Sequence, residues 1–196
     1  MDELVLVVKK DIINDSLGEN NQYLINSNES EFKNLVYQNQ EFLLRSVAEN
    51  DFSMKQIISY CLVECDNKVF VTQRTKKQTE VRLHNKYSVG IGGHINPTDL
   101  DKNDLVEKGM LRELHEEVII KGDFSYEFLG LINSNNAEVS LVHTGLCYLV
   151  KVKDYDCAVN ETKKMTGQWV SIDQLDGYYD SMEDWSKIVL NTYLKK

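Results

Sequence analysis

The sequence predicts a mixed α/β (α+β) fold, in which a mixed β-sheet is sandwiched between α-helices. Three observations carry that expectation. Short β-branched and apolar runs recur along the chain, among them Leu4–Val8, Ile57–Val63 and Leu146–Val150. Between them lie stretches with apolar residues every three or four positions, as at Met110, Leu114 and Val118. Punctuation falls to Gly, Asn and Asp, since Pro97 is the only proline among 196 residues. That length suits one domain, or one domain with an extension, and buries a core without staples.

Taken in order, residues 3–9 read as a strand and 14–30 as a polar loop. Residues 30–49 carry Phe32, Leu35, Val36, Phe42, Leu43 and Val47, the spacing of one or two helices. Residues 1–52 contain no chemical motif and are expected to be an N-terminal extension that packs on the main domain or makes a homodimer contact. The main domain is expected over 53–196. Within it, 56–64 and 68–73 read as strands joined at Asp66-Asn67. Residues 87–95 form a glycine-rich strand and 96–103 a loop. A helix is expected at 104–118, strands at 126–132, 138–152 and 168–171, and a last helix at 181–194.

Composition excludes several classes of function. A net charge of −9 disfavours a nucleic-acid duplex as partner. No apolar run approaches the ~20 residues needed to cross a bilayer, so no membrane partner is expected. The N-terminus lacks a basic leader, and a cytoplasmic protein is the expectation. Cys61, Cys65, Cys147 and Cys157 have no zinc-like spacing and read as reduced packing residues.

The most informative segment is Arg112-Glu113-Leu114-His115-Glu116-Glu117, with Gly92-Gly93 upstream. At about 100° per residue, Glu113, Glu116 and Glu117 fall within an arc of roughly 100°. Gly109 shares that arc and is expected to leave open space beside the acids. Met110, Leu114 and Val118 lie on the adjacent arc and would hold the helix to a sheet. On an exposed helix such a charge cluster is ordinary, because like charges at this spacing cost only a few tenths of a kcal/mol. In a partly buried cleft, two carboxylates about 4 Å apart repel by about 4 kcal/mol at an effective dielectric near 20, and a hard cation reverses that sign. Oxygen-only ligation selects Mg²⁺ or Mn²⁺ over zinc.

These residues resemble the Nudix box of the Nudix hydrolases. That box reads Gly, five residues, Glu, seven residues, Arg-Glu, an apolar residue, any residue, Glu-Glu, any residue, Gly, and an apolar residue. Arg112 to Glu117 match its core and Ile120 its last place. Counted back from Arg112, the isolated acid falls on Asp104, with Gly93 as the opening glycine. Gly93 to Asp104 is then five residues longer than the box, and Ile119 stands where the closing glycine would be.

The resemblance implies the Nudix fold. It implies metal binding by Glu113, Glu116, Glu117 and the main-chain carbonyl of Gly92, with Arg112 orienting a glutamate. The implied chemistry is attack of water on phosphorus in a nucleoside diphosphate linked to another moiety. Glu116 or Glu117 is the expected general base, with Glu161 in a later polar loop as the other candidate. Arg74, Arg82 and His84, in the basic stretch before the double glycine, and His94 beside it are the candidate contacts to a nucleotide-type substrate. A non-catalytic nucleotide-binding module is the alternative, and an isomerase on the same fold lacks support from the cysteines.

Overall fold

The computed structural model describes residues 2–74, 86–100, 104–160, 162 and 165–195. The elements run β1 (Leu4–Lys9), α1 (Lys10–Leu17), α2 (Glu29–Asn39), β2 (Glu41–Leu44), α3 (Arg45–Ala48), β3 (Met54–Cys65) and β4 (Lys68–Arg74). There follow β5 (Tyr87–Ser88), β6 (Gly90–His94), α4 (Leu105–Glu117), β7 (Val118–Ile120), β8 (Phe124–Ile132), β9 (His143–Val152), β10 (Cys157–Val159), β11 (Met165–Ser171) and α5 (Asp184–Val189). The 3₁₀ segments are Pro97–Asp99, Val139–Val142 and Ile172–Ser181, and a π-helical turn, Leu190–Leu194, extends α5.

The twelve-residue β3 is the axis of the main sheet. On one side it runs parallel to β9 over Gln56–Glu64, and β8 lies beyond β9. On its other side it pairs in turn with β1, β6 and the start of β4. Such a strand is covered on both faces, and its side chains divide by parity. Ile57, Cys61, Val63 and Cys65 join the core beneath α1, α2 and α4, which also holds Met110 and Leu114. Ile58, Tyr60 and Leu62 face the opposite core, built with Trp185, Ile188 and Val189 of α5. This is the mixed sheet between helices that the sequence predicts. The β3–β4 turn falls at Asp66-Asn67, with Asp66 at φ 51°, a left-handed conformation that Asp tolerates.

Residues 2–52 share this sheet. β1 pairs antiparallel with β3 on one edge and with β2 on the other. The Leu6 amide donates to the Ile95 carbonyl at 2.8 Å, which sews β1 to the chain just past β6. Leu6, Val8, Ile13, Phe32 and Val36 are buried in the same core as the α4 residues.

Several local expectations are corrected. Residues 14–17 are helical, as the end of α1, because Ile13 and Leu17 recur at helical spacing and face the core. Glu41–Leu44 is a strand within the stretch expected to be helical, since four residues are too few to show a period and β1 offers a free edge. Residues 139–142 form a 3₁₀ turn, so β9 starts at His143. Among the described residues β7 and β10 pair only with each other, and neither was expected. The C-terminal helix begins at Asp184, after the long 3₁₀ segment. All four cysteines are free and buried, and burial pushes the Cys61 thiol up to about 12, which suits a packing role. No described helix is long and apolar enough to cross a membrane.

Leu6→Ala should remove about 2–5 kcal/mol, read by urea unfolding. A single cooperative transition is expected, because Leu6 belongs to the common core. A separate early transition confined to residues 2–52 would show that the segment folds as an independent unit.

Candidate active site

The site is assembled where β6, the 97–99 turn and α4 meet. Gly93 pairs with Ser59 on β3. A Cβ on Gly93 would overlap the carboxylate of Glu113, so only glycine lets that side chain lie against the strand. At Gly92 a Cβ would strike the Ser59 carbonyl, so the double glycine answers one close approach on each face.

Arg112 organises the surrounding acids. Its Nε donates to Asp99 Oδ1 at 2.8 Å and its Nη2 to Asp99 Oδ2 at 2.9 Å, a two-point grip on a carboxylate. Nη2 also donates to the main-chain carbonyl of His94 at 2.8 Å. Nη1 donates to Glu113 Oε1 at 2.7 Å and reaches both oxygens of Glu116 at 3.4 Å. The bonds to Asp99, and then to Glu113, push the guanidinium pKa further up, so the group is permanently charged. Burial holds the Glu113 carboxyl above the usual glutamate range, Arg112 opposes the shift, and Glu116 and Glu3 add to it. Glu116 points outward, with 59% of its side chain exposed, and Glu117 is half-buried.

Asp99 was not singled out from the sequence. Counted forward from Gly93, five residues intervene before it, the interval that opens the Nudix box. The additional five residues therefore lie between Asp99 and Arg112. Backward counting led to Asp104, which serves another purpose. It caps α4 by accepting from the Glu107 amide at 2.9 Å, and binds Lys33 Nζ at 2.7 Å and Tyr37 Oη at 2.8 Å. Gly109 is also accounted for differently than expected. Instead of open space, a Cβ there would lie 3.0 Å from Asp99 Oδ2 and 3.0 Å from Ile95 Cγ1, so the glycine makes room for the Asp99 loop.

The remaining candidates are dispersed. Arg74 ends β4 and is half-buried. Arg82, His84 and Glu161 lie outside the described residues. Asn160, next to Glu161 in sequence, is tied to the end of α4, with its amide on the Glu117 carbonyl at 2.8 Å and its side chain on the Glu116 carbonyl at 3.1 Å. The His94 side chain lies on the face of β6 opposite Gly93, by strand alternation. Its ring sits 5.6 Å from that of His143, and burial, followed by the neighbouring cations, drives its pKa well down.

Two substitutions separate the two aspartates. Asp99→Asn leaves Arg112 short of its main partner and should cost about 3 kcal/mol, the low end for a broken buried pair because the guanidinium is partly exposed. Asp104→Asn keeps an equally good helix cap and should cost less than half as much in the same denaturant titration. Burial would raise the Asp104 carboxyl, but Lys33, the Glu107 amide and Tyr37 together lower it. Its contribution is thus complete above the unfolded value of about 3.9 and is lost as pH falls through the lower folded value. The Asp104→Asn variant should lose less stability than wild type over that acid range.

No family model matches the chain. Protein YmaB of Bacillus subtilis (strain 168) is 30% identical over 200 residues, covering 97% of either chain. Tm1382, whose crystal structure is assigned to the Nudix hydrolases, superposes with a TM-score of 0.82 at 34% identity, covering 98% of this chain and 99% of that one. The Nudix domain of Shewanella oneidensis NrtR, complexed with ADP ribose, matches 70% of this chain and 84% of its own at a TM-score of 0.55 and 15% identity, a likeness of fold. With the double glycine, the Arg112 grip and the acidic arc on α4 in place, the chain belongs to the Nudix hydrolases, enzymes that act on phosphorus-containing anhydrides.

Proposed function

We propose that the protein is a Mg²⁺- or Mn²⁺-dependent pyrophosphohydrolase acting on a nucleotide or nucleotide-sugar type substrate. The observation that carries this reading is the charge balance around Arg112. One guanidinium contacts the carboxylates of Asp99, Glu113 and Glu116, so 3 − 1 leaves two negative charges before Glu117 is counted. Asp99 and Glu113 have oxygens committed to Arg112, whereas Glu116 meets it only at 3.4 Å and faces solvent. A divalent cation complements that surplus, and the all-oxygen donor set fits a hard ion.

In this reading Glu113, Glu116 and Glu117 hold the metal, with the Gly92 carbonyl as a main-chain ligand. The ion, when bound, lowers the pKa of water and offsets charge on phosphate oxygens. Arg112 fixes the rotamer of Glu113 and opposes the upward shift that burial gives its carboxyl. Glu116 or Glu117 takes the proton from the attacking water. Glu161 is the alternative base. Arg74, Arg82 and His84 are proposed for the approach of the anionic substrate, whereas the His94 ring, buried on the other face of β6, is withdrawn from that role. The ADP ribose held by the related NrtR domain supports a nucleoside diphosphate moiety as the recognised part. A soluble small-molecule enzyme in the cytoplasm is the corresponding setting, and a homodimer through residues 1–52 is retained as a proposal.

The test is a hydrolysis screen over nucleoside triphosphates, dinucleoside polyphosphates, ADP-ribose, nucleotide sugars and NADH with either ion, using ¹⁸O-water to locate the attacked phosphorus. Glu116→Gln and Glu117→Gln should each reduce turnover of the best substrate by about 10²–10⁴, the range for a lost acid–base or metal-binding group, with unchanged circular dichroism. Unchanged rates would refute the metal assignment, and no turnover of any compound would favour a nucleotide-binding module.

A further inference from the structure

The glycine strand has a second cluster of metal-type ligands on its other face. Glu49 follows α3, His94 ends β6 and His143 opens β9. Donor atoms of the three lie within 4.8 Å of one another, although their positions in the sequence are far apart. Strand parity places His94 and His143 on the sheet face opposite α4, so the cluster is separate from the acidic arc of the box.

Three details distinguish this cluster from an ordinary buried polar patch. The His143 ring places Nδ1 on the Val139 carbonyl. A carbonyl only accepts, so Nδ1 carries the hydrogen, and Nε2 is directed at Glu49 Oε1 3.9 Å away. That arrangement, one ring nitrogen on a backbone carbonyl and the other turned toward a carboxylate, is the one that orients metal-binding histidines. His94 Nε2 is buried with no hydrogen-bond partner. Gln56 lies on β3 on the same face, beside His143 in register and two residues from the partner of His94. It is fully buried, and both its amide oxygen and its amide nitrogen lack partners. Unsatisfied buried polar atoms are uncommon in proteins, and an absent ion or water is one of their recognised causes.

We propose that Glu49, His94 and His143 form a binding site for a divalent transition metal of the Zn²⁺ type, chemically distinct from the all-oxygen site of the box. Two imidazoles and one carboxylate are the donor set that zinc accepts in open sites, with further coordination positions left for water or a ligand. Tetrahedral ligation at about 2.0–2.1 Å per bond requires donor separations of about 3.3 Å. The His143–Glu49 distance is within a side-chain adjustment of that value. Arg45 Nε, 3.6 Å from Glu49 Oε1, holds the carboxylate at the mouth of the cluster. Glu3 Oε1, 3.8 Å from His94 Nδ1, offers a partner for the other nitrogen of that ring. An ion here would also fix the His94 segment, whose carbonyl anchors Arg112 on the other face. The inference does not depend on the hydrolase reading.

The experiment uses the full chain stripped with a chelator and titrated with Co²⁺, a spectroscopic stand-in for Zn²⁺. Four- or five-coordinate Co²⁺ on imidazole nitrogen absorbs strongly in the visible, whereas an octahedral all-oxygen site absorbs weakly. One equivalent should produce the strong bands, Zn²⁺ should abolish them by displacement, and the melting temperature should rise. A Glu116→Gln, Glu117→Gln double variant should retain the bands. Glu49→Gln and His143→Gln should weaken Co²⁺ binding at least about 100-fold, since even loss of an outer-shell partner costs 10–100-fold. Glu49 is at the edge of the cluster, so its variant serves should His143→Gln fail to fold. Weak octahedral bands only, bands unaffected by Glu49→Gln, or bands lost in the double variant would each overturn the proposal.

Discussion

The multidentate grip of Arg112 is the constraint from which the site follows. A guanidinium presents its donors in one rigid plane, so a residue holding Asp99 with two bonds, Glu113 with a third and the His94 carbonyl with a fourth fixes three chain segments relative to one another. The 97–99 turn, the end of β6 and the middle of α4 cannot shift independently while those bonds persist. Gly93 and Gly109 are corollaries of the same geometry. The first lets Glu113 lie against the strand, and the second lets the Asp99 loop approach the helix. A lysine could supply the charge but not the planar set of directions.

The fold was legible wherever a period or a turn dipeptide extended far enough to be read. β3, the turn at Asp66-Asn67 and α4 belong to that class. The misread strands are short, four residues in β2 and three each in β7 and β10, and they form because a neighbouring edge was free to pair. No local pattern carries that information. The acidic arc was legible for the opposite reason, since it lies within one helix and depends only on spacing. Asp99 was hidden by an interrupted motif. Counting from Arg112 met the five additional residues first and landed on Asp104, which has its own work as a cap for α4 and a partner for Lys33 and Tyr37. Counting from Gly93 reaches the acid that Arg112 holds.

Asp104 also shows how residues 2–52 bear on the site. Asp104 connects the start of α4 to α2 through Lys33 and Tyr37, and β1 is bonded beside β6 through Leu6 and Ile95. Glu3 is close enough to Glu113 to raise its carboxyl pKa, so the N-terminal segment contributes to the electrostatics of the box as well as to the core. The N-terminal strand and helices thus contact the segments that carry the box, and the superposition on Tm1382 covers 98% of this chain.

β6 separates two kinds of donor chemistry across the thickness of one backbone. Gly93 opens one face to carboxylate oxygens on α4, while the adjacent His94 turns an imidazole to the other face, toward His143 and Glu49. Alternation of side chains along a strand makes that division unavoidable. Hard oxygen ligands favour Mg²⁺ or Mn²⁺, and a pair of imidazoles favours a softer ion, so on the two proposals above the faces would differ in the ion they select by donor type. They are also mechanically joined, because the carbonyl of His94 holds Arg112 while its ring belongs to the second cluster. An ion that fixed the ring would restrict the carbonyl, and through it the arginine that orients Glu113. His94 therefore joins the two faces directly, and Glu3, close to its ring and acting on Glu113, adds an electrostatic link between them.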